Sequence, residues 1–339
     1  MITILKKNLH FLATLTAFML CVQYLYAQTD SLYDVLSTTQ SDSIKVSCYN
    51  SLAEHYLDQH EADSTIYYAN KGLELIEQKN LKPQAELYLK LVQAYDQKRE
   101  YKQSVQYIPP LIKIYESSND PADRVRAMNY RGWNFYRRGE FSKGLEAFEK
   151  TRMMAIDEGM EDMLAMAYLG MGRIHYNTGD LEAEELNYRR YLELADTEKE
   201  KRMRYTIRMR LGDIQRAIQR EEEALVVYRD LANDALMTED SLVAANSLNK
   251  LAWTYYEMGE LEKSLEIYQE DLELSRLIGN KNLITNCLGN MGNIYRDWNY
   301  YEKAIEYYTL SIEVSTKIRD IYNLMWLYRD ISQMYADLG

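Results

Sequence analysis

Residues 251–268 read LAWTYYEMGELEKSLEIY, and residues 291–308 read MGNIYRDWNYYEKAIEYY. Superposed at a shift of 40, they share one pattern: an apolar residue, a small residue, an aromatic three further on, a second helical stretch with a small residue, and a closing tyrosine. Working outward in steps of 40, the first half of the pattern returns as Leu211-Gly212-Asp213-Ile214-Gln215, Met171-Gly172-Arg173-Ile174-His175 and Arg131-Gly132-Trp133-Asn134-Phe135. Leu91-Val92-Gln93-Ala94-Tyr95 and Ile331-Ser332-Gln333-Met334-Tyr335 extend it both ways, and Leu52-Ala53-Glu54-His55-Tyr56 precedes them shifted by one. Arg99-Glu100, Gly139-Glu140, Gly179-Asp180 and Gly259-Glu260 mark a turn after the aromatic. A fixed period of this size is the signature of stacked supersecondary units, none of which can bury its apolar face alone.

Each unit reads as two amphipathic helices, A and B, joined by a short turn. Gly132, Gly172, Gly212, Ala252 and Gly292 let helix A approach its partner, and Ala224, Ser264 and Ala304 do the same from helix B. Asp120, Asp240, Asn280 and Asp320 stand just before the next helix A, where their side chains accept orphan backbone N–H groups. Most of the 31 tyrosines fall in a few registers of this repeat and read as packing; the methionines from Met153 to Met171 read the same way. Pro109-Pro110 falls inside a B helix and predicts a kink or a break there.

The pattern resembles the tetratricopeptide repeat, in a form with longer helices than that family's usual spacing of 34, over about Ser43 to Gly339. The resemblance implies an all-α, right-handed superhelical solenoid of about seven and a half helix-turn-helix repeats, with the last repeat incomplete. Two positions depart from the pattern and predict looser junctions: Glu184 stands where a small residue is expected, and Gln215 where an aromatic is expected.

Residues 1–27 have the order of a secretory signal: Lys6 and Lys7, an apolar run Leu9–Val22, then Leu25-Tyr26-Ala27 before the cleavage point. The run is short for a membrane span. The expectation is a mature chain exported to the periplasm, with 28–42 a short linker and 43–339 the solenoid. Membrane attachment would come only through an uncleaved signal or a span beyond residue 339. The last helical stretch, Ile321 to Leu338, is apolar on more than one face; it suggests self-association, or a chain that continues past Gly339.

Composition narrows the function. The net charge of −12 argues against nucleic acid. Two cysteines outside the signal, Cys48 and Cys287, make no disulfide scaffold, and the four histidines have no zinc-ligand spacing. No phosphate loop, nucleophile elbow or paired histidine nucleophile is present, so no cofactor, metal or catalytic residue is assigned and the segment reads as non-enzymatic.

In the family the A helices line a concave groove. Its registers hold Trp133, Tyr136, Arg173, Tyr176, Arg210, Arg216, Trp253, Tyr256 and Arg296, side-chain types that make interface hot spots. The expected partner is a protein or peptide segment. Each tryptophan either faces the groove or fills space between adjacent A helices. The basic run Lys201, Arg202, Arg204, Arg208, Arg210, Arg216 and Arg220 either attracts an acidic segment or pairs with Glu221–Glu223 and the glutamates of neighbouring units. The lysine, asparagine and arginine clamp of some tetratricopeptide co-chaperones is not reproduced. The opening, with Asp42-Ser-Ile-Lys-Val46 and Asp63-Ser-Thr-Ile-Tyr-Tyr-Ala69, looks like the exported sensor region of bacterial membrane signalling proteins of the sensor histidine kinase type. The resemblance implies an input module. The alternatives are a free-standing periplasmic scaffold for an envelope complex, and the sensor of a nucleotide cyclase or DNA-binding regulator.

Overall fold

The computed structural model describes residues 29–76, 81–195 and 200–338. The expected signal, 1–27, and the turn glycine Gly339 lie outside them. The described residues form sixteen helices. The first, α1, covers residues 29–38. Seven A–B pairs follow: α2 (Asp42–Asp58) with α3 (Ala62–Leu75), α4 (Leu81–Gln97) with α5 (Tyr101–Glu116), α6 (Pro121–Arg137) with α7 (Phe141–Asp157), α8 (Glu161–Thr178) with α9 (Leu181–Leu194), α10 (Lys201–Ala217) with α11 (Glu221–Met237), α12 (Ser241–Glu257) with α13 (Leu261–Leu277), and α14 (Lys281–Asp297) with α15 (Tyr301–Ile318). A single helix, α16 (Ile321–Leu338), ends the series. The expected all-α repeat architecture is therefore what the described residues form. None of these helices is long and apolar enough to cross a membrane.

The turns repeat because their hydrogen bonds repeat. After α12, Gly259 adopts φ +78° and the Glu260 N–H donates back to the Tyr255 carbonyl at 2.9 Å. This closes the helix through a left-handed residue that satisfies its last carbonyls. The same bond runs from Glu140 to Phe135, from Arg220 to Gln215 and from Tyr300 to Tyr295. At the other end, Asp120, Asp240, Asn280 and Asp320 each accept a backbone N–H of the A helix that follows, as expected.

Within a pair, glycine on helix A makes room for a ring on helix B. A Cβ added at Gly212 would lie 2.4 Å from the Tyr228 ring, and one at Gly292 would lie 2.5 Å from Tyr308. The tyrosine registers also pair with each other. Tyr56 stacks on Tyr68, Tyr95 on Tyr107 and Tyr295 on Tyr307, with ring centroids 5.2 to 5.7 Å apart.

Three expectations need correction. Residues 29–38 are a helix and not a linker; Tyr33 anchors it through hydroxyl contacts of 2.8 Å with both Tyr56 and Tyr68. Helix α5 runs unbroken through Pro109 and Pro110, because the residues around them, Ile108, Leu111 and Ile112, are buried and hold it in place. The Glu184 position is not loose. Its side chain is fully buried and gripped by Arg210, with Nε–Oε1 at 2.7 Å and Nη2–Oε2 at 2.9 Å. Gln215 is likewise buried and donates to Glu223 at 2.9 Å.

The chain divides into two compact units, one up to Ile174 and one from His175. The division falls within α8.

Candidate binding site

The second unit carries an open slot of about 350 Å³ between α12, α14 and α16. Its residues come from the face that the 40-residue period sets: Trp253 and Tyr256 on α12, Asn286, Asn290, Asn293 and Arg296 on α14, and Trp326 on α16. The three asparagines are spaced i, i+4 and i+7, which aligns them along one helix face. A primary amide offers two donors and an acceptor, the complement of a peptide group. The Tyr308 hydroxyl donates to Asn293 Oδ1 at 2.6 Å, which fixes the orientation of that amide.

Aromatic rings form the sides. Trp253 and Tyr256 are stacked, with centroids 5.2 Å apart and planes at 29°. The Arg329 guanidinium lies 3.8 Å from the Trp326 ring centroid, a cation–π contact. The charges around the slot are matched within the protein. Arg296 meets Asp297 at 3.0 Å and Asp330 at 3.6 Å, and Arg329 meets Asp330 at 2.6 Å. The Tyr256 hydroxyl donates to Asp297 at 2.5 Å. Burial first, and that hydrogen bond second, push the phenol up to about 12, so it stays a neutral donor.

A larger cleft of about 1050 Å³ lies between α10 and α12 and is lined in part by Lys201, Arg202, Tyr205, Met209, Arg210 and Lys250. Most of the basic run is already paired. Arg204 donates to the carbonyls of Leu192 and Ala195 and closes the end of α9. Arg208 pairs with Asp234, Arg216 with Glu257 and Arg220 with Glu185. Arg210 serves the buried Glu184 and lies 4.6 Å above the Tyr176 ring; the Glu184 carboxylate is the main reason its guanidinium holds its proton more tightly than usual. Of the alternatives read from the sequence, the paired one fits: glutamates of neighbouring units, Glu184, Glu185 and Glu257, take three of the arginines, while Asp234 rather than Glu221–Glu223 takes Arg208.

The remaining candidates, Trp133, Tyr136 and Arg173, sit in the first unit. Trp133 is half-buried, edge-on to the fully buried Phe148 at 5.1 Å and to Tyr136 at 5.6 Å. Arg173 lies 6.0 Å above its ring. This is a packed cluster that includes Ile174 and Met171.

The sequence reading therefore passed over Asn286, Asn290, Asn293 and Trp326. The signal was the period itself: Asn286 and Trp326 are in line with Asn246, and Asn293 is in line with Trp253.

Residues 243–317 match the family model described as tetratricopeptide repeat. No curated protein matches the chain. Among solved structures, the chain is similar to the apo form of RapI, with 18% identity over 81% of this chain and 99% of that one and a TM-score of 0.55. It is similar to the apo quorum sensor NprR from B. thuringiensis, with 15% identity over 88% and 84% and a TM-score of 0.61. It is also similar to a signal transduction ATPase with a tetratricopeptide repeat sensor from Pyrococcus horikoshii, with 14% identity, 91% of this chain, half of that one and a TM-score of 0.65. Residues 243–317 are thus tetratricopeptide repeats, and the chain around them has the tetratricopeptide-repeat fold.

Proposed function

We propose that this chain is a non-catalytic module that captures an extended peptide or protein segment in the slot between α12, α14 and α16. The observation that carries the reading is the line of Asn286, Asn290 and Asn293 between aromatic walls. An extended segment has backbone N–H and C=O groups in need of partners, and amides in a row supply them without selecting side chains. Trp and Tyr supply rigid contact area at little entropic cost. The self-paired charges point to a mainly uncharged segment and away from the acidic one suggested by the basic run. Two similar folds support the idea by analogy: NprR is described as a quorum sensor, and a Rap conjugation regulator, similar at a TM-score of 0.51, is described in complex with a peptide.

Export through residues 1–27 places the module in the periplasm. Binding there serves as the input of a signalling protein of the sensor histidine kinase type. The exposed apolar face of α16, with Ile321 70% and Met325 68% exposed, is a surface for self-association that binding would shift. A free-standing scaffold, or the sensor of a cyclase or DNA-binding regulator, would use the same slot.

Peptide display on purified residues 28–339 tests the core of the reading. Selected peptides should bind with micromolar affinity and lose most of it with Asn290→Ala. Selection of no peptide, or peptides indifferent to Asn290→Ala and Asn293→Ala, would contradict it. An alkaline phosphatase fusion at residue 339 should be active if residues 1–27 direct export; an inactive fusion in intact, full-length form removes the periplasmic assignment.

A further inference from the structure

Tyr228 on α11, Tyr268 on α13 and Tyr308 on α15 occupy one place in three successive repeats, and all three are buried. Their hydroxyls are not treated alike. Tyr228 donates to Asp213 at 2.7 Å, and Tyr308 donates to Asn293 at 2.6 Å. The residue equivalent to Asp213 and Asn293 in the intervening repeat is Trp253. An indole carries a donor and no acceptor. The Tyr268 hydroxyl accordingly lacks the acceptor that its neighbours have; the side chain that interacts with it is Asn290, a donor from the slot.

A buried hydroxyl without an acceptor for its proton costs stability. The middle repeat carries that cost at the position where its neighbours place an acceptor. A local rule kept by its neighbours and broken in one repeat is the kind of departure expected at a functional position. The residue responsible, Trp253, faces the slot and is stacked with Tyr256.

We propose that Trp253 is the specificity-determining residue of the slot, and that with Tyr256 and, across the slot, Trp326 it takes a flat, uncharged aromatic side chain of the bound segment. The proposal rests on the peptide-binding reading above. The choice of an uncharged occupant follows from the charges: Arg296 and Arg329 are already held by Asp297 and Asp330. A charged side chain entering here would lose hydration and find no unpaired counter-charge. A ring would stack, with a gain beyond its buried area.

The test uses blocked heptapeptides of Gly, Ser and Ala that differ only in a central Phe, Leu, Lys or Glu, titrated against residues 28–339. The Phe peptide should bind about tenfold or more tighter than the Lys and Glu peptides, the size expected of one aromatic anchor. Trp253→Asn, which restores the acceptor found in the next repeat, should abolish that preference, while Trp253→Phe keeps most of it. Circular dichroism monitors folding, and Tyr268→Phe should leave Tm unchanged or raise it. A preference that survives Trp253→Asn, or a Phe peptide that binds no better than Lys, overturns this proposal and leaves peptide binding standing. Binding of none of the four peptides contradicts the peptide reading, and this proposal with it. A fall in Tm with Tyr268→Phe removes the argument from the missing acceptor.

Discussion

Trp133 and Trp253 occupy the same register of helix A, three repeats apart, yet they do different work. Behind Trp133 the B helix offers Phe148, a ring with no hydroxyl, and the indole closes against it in a cluster with Tyr136 and Ile174. Behind Trp253 the B helix offers Tyr268, whose hydroxyl lacks an acceptor, and the indole opens onto a slot lined by asparagines. The residue behind the tryptophan, and not the tryptophan itself, separates packing from display. Arginine divides the same way. Arg210 is clamped to a buried glutamate, whereas Arg296 is half-buried at the slot and meets two partly exposed aspartates.

The largest effect expected is at the clamped arginine. Arg210→Ala leaves the Glu184 carboxylate buried without a counter-charge and should cost about 3–5 kcal/mol in urea unfolding. Adding Glu184→Ala, which restores the small residue of other repeats, should recover most of the loss. Equal losses in the single and double variants would mean that the pair contributes nothing specific.

The two tryptophans come next. Trp133→Ala should destabilise the first unit by about 3 kcal/mol, since it opens a cavity over Phe148. Trp253→Ala should cost about 1 kcal/mol and remove the preference for an aromatic peptide. If the costs are equal, the distinction between the two tryptophans fails.

The three tyrosines sharpen the contrast. Tyr228→Phe and Tyr308→Phe each delete a hydrogen bond and should cost about 1 kcal/mol in thermal or urea unfolding. Tyr268→Phe deletes no bond to an acceptor and should be neutral or stabilising.

The smallest effect concerns pH. Asp271 on α13 is fully buried and accepts from Asn249, Ser275 and Cys287, with no cation among them. Burial raises its pKa, and these hydrogen bonds only partly offset the rise. A raised folded-state value favours the protonated carboxyl in the fold. Its contribution is therefore complete below the ordinary carboxylate range and is lost as pH rises through the raised value. Tm measured from about pH 4 to pH 8 should fall more in the wild type than in Asp271→Asn; parallel curves would contradict this.

Much of the fold was legible because its determinants are local and periodic. The caps Asp120, Asp240, Asn280 and Asp320 and the turn glycines Gly139, Gly179 and Gly259 each act within a few residues of themselves. What could not be read depends on distant partners. Helix α1 exists through Tyr33 meeting Tyr56 and Tyr68, 23 and 35 residues away. Glu184 looked like an intrusion because its arginine lies 26 residues on. Hot-spot chemistry selected Trp, Tyr and Arg, but it does not tell an open side chain from a clamped one. The asparagines were passed over because a lone helical Asn is unremarkable until its neighbours on the face are known.

The most direct measurement is hydrogen exchange of residues 28–339 with and without a saturating peptide from display. Protection should gather on the second half of α12, on α14 around Asn286 to Arg296, and on α16 around Trp326, and leave the Trp133 region of α6 unchanged. Protection centred on α6, with α14 unaffected, would place the binding site on the packed tryptophan and contradict the division drawn here.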